Sequence, residues 1–143
     1  MIPLPGWKTE IDEISNGIFK VTLTDSFGRR AEVIDIATDE TIQKAYQDAF
    51  EIEKEASLNW NKFLYDLFLT QLSKTILTAQ NFNAENFGSW VIEINSKRFV
   101  YIGKNEWLIK QIQKDNKWLD QAIFKKDDLT YELLSIIIKQ IQV

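Results

Sequence analysis

The chain contains neither cysteine nor histidine. The absence of cysteine excludes disulfide scaffolds, thiolate zinc sites, iron–sulfur clusters and thiol nucleophiles. The absence of histidine removes the usual general base near neutral pH and the commonest transition-metal ligand, so a Ser-His-Asp triad is excluded. The sequence also lacks a phosphate-binding loop, a dinucleotide fingerprint and the common hydrolase and metalloprotease motifs. We therefore predict a protein that is not an enzyme and that holds neither a cofactor nor a metal ion.

Long hydrophobic runs are also missing. Uninterrupted apolar stretches, such as residues 136–138, are far too short to span a bilayer. Residues 1–6 have no basic region and no long apolar run, which predicts that there is no signal peptide. We therefore expect a cytoplasmic protein that does not bind membranes.

Material for a core is plentiful, because 45% of the 143 residues are hydrophobic and 13% are aromatic. A domain of this length buries about two-thirds of the surface that its unfolded chain exposes. We therefore predict one α+β domain that spans residues 1–143.

The N-terminal third shows the two-residue period of β-strands. In residues 18–24, Phe19, Val21 and Leu23 alternate with polar residues, and Asn16-Gly17 before them favours a tight hairpin turn. A second turn is predicted at residues 25–28, which begin with Asp and end with Gly. The predicted strands of this three-stranded meander are residues 7–14, 18–24 and 29–36, the last with Ile34 and Ile36 on one face.

A helical period follows, with apolar residues three and four positions apart. Thr38 or Asp39 is the expected cap of the first helix, and Ser57 or Asn59 that of a second helix, which carries apolar residues from Trp60 to Ile76. One long bent helix is the alternative, but two helices suit a small domain better.

The C-terminal half returns to strands and ends in a helix, for which Asp127 or Asp128 is the expected cap. The predicted strands are residues 89–95, 98–102 and 106–113, with an irregular fourth at 118–124. The fold class is therefore α+β, with two antiparallel β-meanders (three strands, then three or four) separated by a helical pair, and a C-terminal helix. The sequence leaves open whether the two meanders form one sheet.

Charge is distributed unevenly around a net value of −4. Residues 39–55 contain six acids and two lysines, whereas residues 97–126 contain eight basic residues and three acids. On the predicted first helix, Asp48, Glu51 and Glu55 share one face, where they can attract a partner with a basic surface or bind a hard cation. A plain solvated face is the alternative. Reversing the three charges to Lys should slow association with such a partner.

Other candidate binding residues lie outside this helix. Arg29 and Arg30 follow Gly28 and can bind a phosphate or carboxylate, although charged residues are common where a strand begins. In the first strand, Glu10 and Asp12 share a face, with Glu13 next to them, and could supply an acid pair. An exposed strand kept soluble by charge is the alternative.

Aromatic and basic residues alternate in residues 97–126, where Trp107 and Trp118 are the candidate partner-binding residues. This composition suits a platform for single-stranded nucleic acid, a protein interface, or a sheet with one core face and one solvated face. The acidic net charge makes nucleic acid the less probable partner.

Residues 17–50 resemble HicB-type antitoxins in their strand–strand–strand–helix layout, with Thr38, Thr41, Ala45 and Ala49 inviting the comparison. The Pro-containing strand end of that family is absent, and no site residue is carried over. The small acidic format also resembles that of toxin-immunity proteins. We predict a non-enzymatic protein-binding domain, an immunity- or antitoxin-like inhibitor that uses its acidic helix. A small-ligand protein with an aromatic pocket and a single-strand nucleic-acid binder are the alternatives.

Overall fold

The computed structural model describes residues 2–36, 38–56, 59–72, 77–80 and 88–141. The chain divides into two compact units, the first formed by Met1–Leu58 with Thr130–Ser135 and the second by Asn59–Leu129 with Ile136–Val143. The predicted fold class is confirmed: there are two separate antiparallel sheets, two helices between them along the chain, and a C-terminal helix. The assignment of all residues to one domain stays a prediction.

The first sheet is the predicted three-stranded meander. Its strands, in spatial order, are β1 (Trp7–Ser15), β2 (Ile18–Asp25) and β3 (Arg30–Asp35). Both predicted turns are present. Ser15 pairs with Ile18 across a two-residue turn in which Gly17 has a φ of 76°. In the second turn, the Gly28 amide donates to the Asp25 carbonyl at 3.2 Å.

Helix α1 (Thr38–Ala56) packs against β2 and β3. Val21 and Leu23 of β2 are completely buried, as the alternation predicts. In the neighbouring β3, Ala31 and Val33 are buried, while Ile34, and Ile36 just after the strand, are exposed. The helix side of the first core is formed by the buried residues Thr41, Ala45, Ala49 and Phe50.

The second unit contains helix α2 (Trp60–Leu72) and a five-stranded antiparallel sheet. The predicted four strands are present, and a further strand at residues 77–80, which the sequence pattern did not indicate, extends the edge. The strands are β4 (Leu77–Gln80), β5 (Trp90–Ile94), β6 (Lys97–Ile102), β7 (Trp107–Lys114) and β8 (Lys117–Lys125), paired in that order. A register shift between Lys110 and Gln111 accounts for the irregularity expected of β8.

Aromatic rings fill the core of the second unit. Phe68 of α2 lies 4.8 Å from Phe99 and 5.8 Å from Trp90, measured between ring centroids. Trp90 also stacks on Tyr101 at 5.5 Å. These side chains are almost entirely buried, so the rings occupy the space between α2 and the sheet.

Two helices rather than one occupy residues 38–72, as preferred from the sequence, and Asn59 is the residue before α2. The Phe63 amide donates to the Asn59 carbonyl at 2.9 Å, which places Asn59 at the N-cap position of that helix. The other suggested cap, Ser57, and the apolar position Ile76 lie outside the described residues. No helix in the described ranges is sufficiently long and apolar to cross a membrane.

The last helix, α3 (Tyr131–Ile141), corrects the predicted cap. Asp127 and Asp128 lie instead in a short 3₁₀ turn, Lys126–Asp128. Thr130 is the cap, because its hydroxyl oxygen accepts a hydrogen bond from the Leu133 amide at 3.1 Å. Threonine is among the preferred residues at this position, since its side chain satisfies an otherwise unpaired amide of the first turn.

Candidate functional site

Three acidic residues of α1 lie on the side of the helix opposite most of its buried residues. Asp48 and Glu55 are exposed, and the side chain of Glu51 is 43% exposed. Glu51 makes an ion pair with Lys54 at 3.1 Å, which leaves Asp48 and Glu55 as the more available charges. We call Asp48, Glu51 and Glu55 the acidic face.

A groove in the first unit begins at this acidic face. Asp48 and Glu51 form one part of its wall and Glu132, at the start of α3, another; the remaining lining residues are Gln47, Thr130 and Tyr131. Three carboxylates therefore surround one concave surface. Such an arrangement suits the ammonium or guanidinium group of a basic partner.

Tyr131 gives the groove a fixed floor. Its phenol donates to the Ile2 carbonyl at 2.7 Å and accepts from the Ile2 amide at 2.8 Å. Its ring stacks on Tyr46 with centroids 5.8 Å apart. Burial raises the pKa of the Tyr131 phenol above its ordinary value, so this group stays neutral and hydrogen-bonded at physiological pH. Asp48 and Glu51 of the acidic face therefore lie beside a tyrosine that is held in a fixed position.

Arg29 and Arg30 do not form a joint site. Arg29 donates to the carboxylates of Asp25 and Glu53, the latter at 2.9 Å. Glu53 is itself buried and accepts a hydrogen bond from the Trp7 indole at 2.9 Å. Arg30 points to the other face of the sheet, where it lies 3.4 Å from Glu32. Arg29 thus connects the β2–β3 turn to α1.

Glu10 and Asp12 share a sheet face as predicted, opposite Thr22 and Lys20 of β2. Glu13 lies on the other face, and its carboxylate accepts a hydrogen bond from the Gly17 amide at 3.3 Å. The contacts described for Glu10, Asp12 and Glu13 are thus those of strand pairing and of the β1–β2 turn. Within the described ranges, no group of three or more acidic side chains is arranged to hold a metal ion.

Trp107 and Trp118 lie on the face of the second sheet that is opposite α2, but at different ends of it. Trp118 pairs with Gln113, which is six residues from Trp107 along β7, a separation of about 20 Å. Each ring has a cation over it: Arg98 lies 4.3 Å from the Trp118 ring centroid and Lys125 lies 5.9 Å from that of Trp107. The two tryptophans are therefore separate features.

The strand registers place four lysines on the opposite face from these tryptophans. They lie on β6, β7 and β8, and they are Lys97, Lys110, Lys114 and Lys117. Residues that alternate in sequence are thus divided between two faces. Arg98 and Lys125 lie with Trp118 and Trp107 on the other face, so the four lysines form a surface of their own without either tryptophan.

Charge separates according to the two compact units. The first unit has six basic and thirteen acidic residues, a net charge of −7, and the second has eleven basic and eight acidic residues, a net charge of +3. Glu132 belongs to the first unit although it is far from α1 in sequence. Sequence inspection missed its contribution to the acidic groove because no local pattern relates it to Asp48 and Glu51.

Comparisons with known proteins return no match to a family model, to a curated protein or to a solved structure.

Proposed function

We propose that this protein is a non-enzymatic protein-binding domain that captures a partner with a basic surface through the acidic face of α1. The observation that carries the proposal is the groove in which Asp48 and Glu51 meet Glu132 around the buried Tyr131. Basic side chains of a partner would enter this groove and replace hydration with charge-assisted hydrogen bonds. An inhibitor of the immunity or antitoxin type would use the surface in this way.

Electrostatics would act mainly on the rate of association. The first unit carries a net charge of −7, so it attracts a basic protein over roughly one Debye length, about 8 Å at physiological salt. Charges at the rim of an interface set the association rate and its salt dependence more than they set the final affinity. The partner should therefore bind fast at low salt and more slowly as salt increases.

The test compares three forms of the tagged full chain, used to capture partners from the cells that make the protein and analysed by mass spectrometry. They are the wild type, the acidic-face variant D48K/E51K/E55K, and the matched control E10K/D12K/E13K, which changes the same number of charges on exposed β1 residues. We expect the wild type and the control to recover one stoichiometric partner that is released by high salt. The acidic-face variant should associate with it about 10- to 100-fold more slowly.

Two results would contradict the proposal. One is recovery of the same partner, with the same association rate, by the acidic-face variant. The other is a partner that the control loses and the acidic-face variant retains, which would move the interface to β1. Circular dichroism of each variant establishes that lost binding does not come from lost folding.

A further inference from the structure

One corner of the second sheet carries four lysines, with Asp115 in the turn between β7 and β8 next to them. It lies on the face of the sheet that α2 packs against, where β7 and β8 extend past the buried aromatic core. We call it the lysine corner, and its members are Lys97, Lys110, Ile112, Lys114, Lys117 and Leu119. The strand registers place all six on the same face: Lys97 is opposite Ile112, which is opposite Leu119, and Lys114 is opposite Lys117.

The lysine corner is accessible. Lys97, Lys114 and Lys117 are exposed, Leu119 is 45% exposed, and Ile112 is partly exposed between the lysines. From β6 to β8 the corner spans about 10 Å, and from Lys110 to Lys114 it spans about 14 Å. It is thus a surface with an apolar centre and a positive border, and an apolar core inside a polar rim is the arrangement found in protein interfaces.

No lysine of this corner forms an ion pair with any residue that the structure describes. Lys110 is partly buried, and its burial together with the neighbouring charge of Lys97 lowers the pKa of its ammonium group. An anionic group that approaches these lysines relieves the repulsion between their ammonium groups, so its binding is favourable.

We propose that the lysine corner of one copy of this protein binds the acidic face of α1 in a second copy. Charge complementarity is the main reason, because each copy carries a unit of net charge −7 as well as this positive corner. The dimensions also agree: Asp48 and Glu55 are seven residues apart on α1, about 10 Å, which matches the width of the corner. The helix would place its carboxylates among the lysines and cover Ile112 and Leu119.

Nucleic acid fits this corner less well than a second copy does. The corner contains no aromatic ring on which a base could stack, since Trp107 and Trp118 lie on the other face. The whole chain has a net charge of −4, which opposes the approach of a long polyanion. A second copy also has a net negative charge, but its repulsion is offset by the direct contact between the acidic helix α1 and the lysine corner.

Sedimentation velocity of the purified full chain tests this proposal without any other partner. We expect concentration-dependent association at about 50 mM NaCl that becomes at least about tenfold weaker at about 300 mM, because salt screens exposed charges. The corner variant K97E/K114E/K117E should lose this association. The matched control K62E/K104E/K139E makes the same change in net charge at other exposed lysines of the second unit and should associate like the wild type.

Charge exchange provides the decisive measurement. The corner variant and the acidic-face variant D48K/E51K/E55K should each be monomeric. In each variant the helix face and the corner have the same sign of charge, so two copies repel each other at this contact. Mixed in equal amounts they should associate again, since the acidic α1 of the first meets the intact lysine corner of the second, and the reversed surfaces also match. Circular dichroism confirms that each variant is folded.

A wild type that is monomeric at low salt, a corner variant that still associates, or a mixture that does not, would each overturn the proposal. If the monomeric wild type bound a single-stranded oligonucleotide or anionic vesicles and the corner variant did not, that polyanion would be the occupant instead. Self-association uses the purified protein alone, so its failure leaves the capture of a basic partner by α1 untouched.

Discussion

Asp25 offers the clearest test of how the first unit is held together. Asp25 is buried. Its carboxylate accepts hydrogen bonds from the Phe27 amide at 3.0 Å, from the Arg29 amide at 2.8 Å and from the Arg29 guanidinium. Burial by itself would raise the pKa of this carboxyl, but the hydrogen bonds and charge of Arg29, with the Phe27 amide, outweigh burial and hold the pKa below its ordinary value.

Asp25→Asn removes the charge and keeps one carbonyl oxygen. Hydrogen bonds to charged groups contribute about 1.5–3 kcal/mol each, and breaking a buried ion pair costs about 3–5 kcal/mol. Arg29 would still donate to Glu53 at 2.9 Å, and its side chain is 25% exposed, so the cost belongs at the low end of these ranges. We expect Asp25→Asn to lower the free energy of unfolding by about 2 kcal/mol at pH 7.

The loss of unfolding free energy caused by Asp25→Asn should decrease as the pH falls. Because the folded-state pKa of Asp25 is depressed, its ionised form stabilises the fold above the unfolded-chain pKa of about 3.9, and this stabilisation disappears as the pH falls through the folded-state pKa. The difference between wild type and variant should therefore be constant from about pH 7 to about pH 5 and shrink below about pH 4.

Urea denaturation followed by circular dichroism, repeated across this pH range, measures the difference. Other carboxylates titrate in both proteins, so their contributions largely cancel in the comparison. A difference below about 0.5 kcal/mol at pH 7, or one that does not change between pH 7 and pH 3, would refute the structural role assigned to Asp25.

Two further stability measurements test the cap of α3 and the second core. Thr130→Ala should cost about 1 kcal/mol in urea denaturation, because the Leu133 amide loses its acceptor, whereas Thr130→Ser should cost much less; equal costs would exclude the cap. Phe68→Ala should cost about 3–5 kcal/mol, because it empties a completely buried site, while Phe27→Ala, at a ring that is 82% exposed, should cost under about 0.5 kcal/mol; similar values would contradict the packing described.

Local patterns predicted those parts of the fold that depend on neighbouring residues. Alternation located β2, because a strand buried on one face must repeat every second residue. Asn16-Gly17 located the first hairpin, since Gly17 adopts the left-handed backbone that the tight turn requires. The acidic face was also predictable, because three and four residues separate positions on the same side of a helix.

Other features depend on contacts that no local pattern encodes. Alternation gives Ile34 and Ile36 the same face of β3, but it does not say which face α1 covers, and the structure buries the smaller Ala31 and Val33. Asp127 and Asp128 are as suitable for capping as Thr130, and only the chain geometry before α3 selects the threonine. The groove at the acidic face needs Glu132, about eighty residues away in sequence from the helix that it joins.

The pairing of Ile2 with the phenol of Tyr131 also has a consequence for synthesis of the chain. The contact joins residues 129 positions apart, and a ribosome that adds about 5–20 residues per second takes about 6 to 26 s to travel between them. During that interval the N-terminal sheet and α1 exist without Tyr131, and Phe50, which packs beside its ring, lacks part of its cover. The segment around Ile2 is therefore completed long after its own synthesis, and a nascent chain that stalls before residue 130 presents unfinished apolar surface to chaperones and proteases.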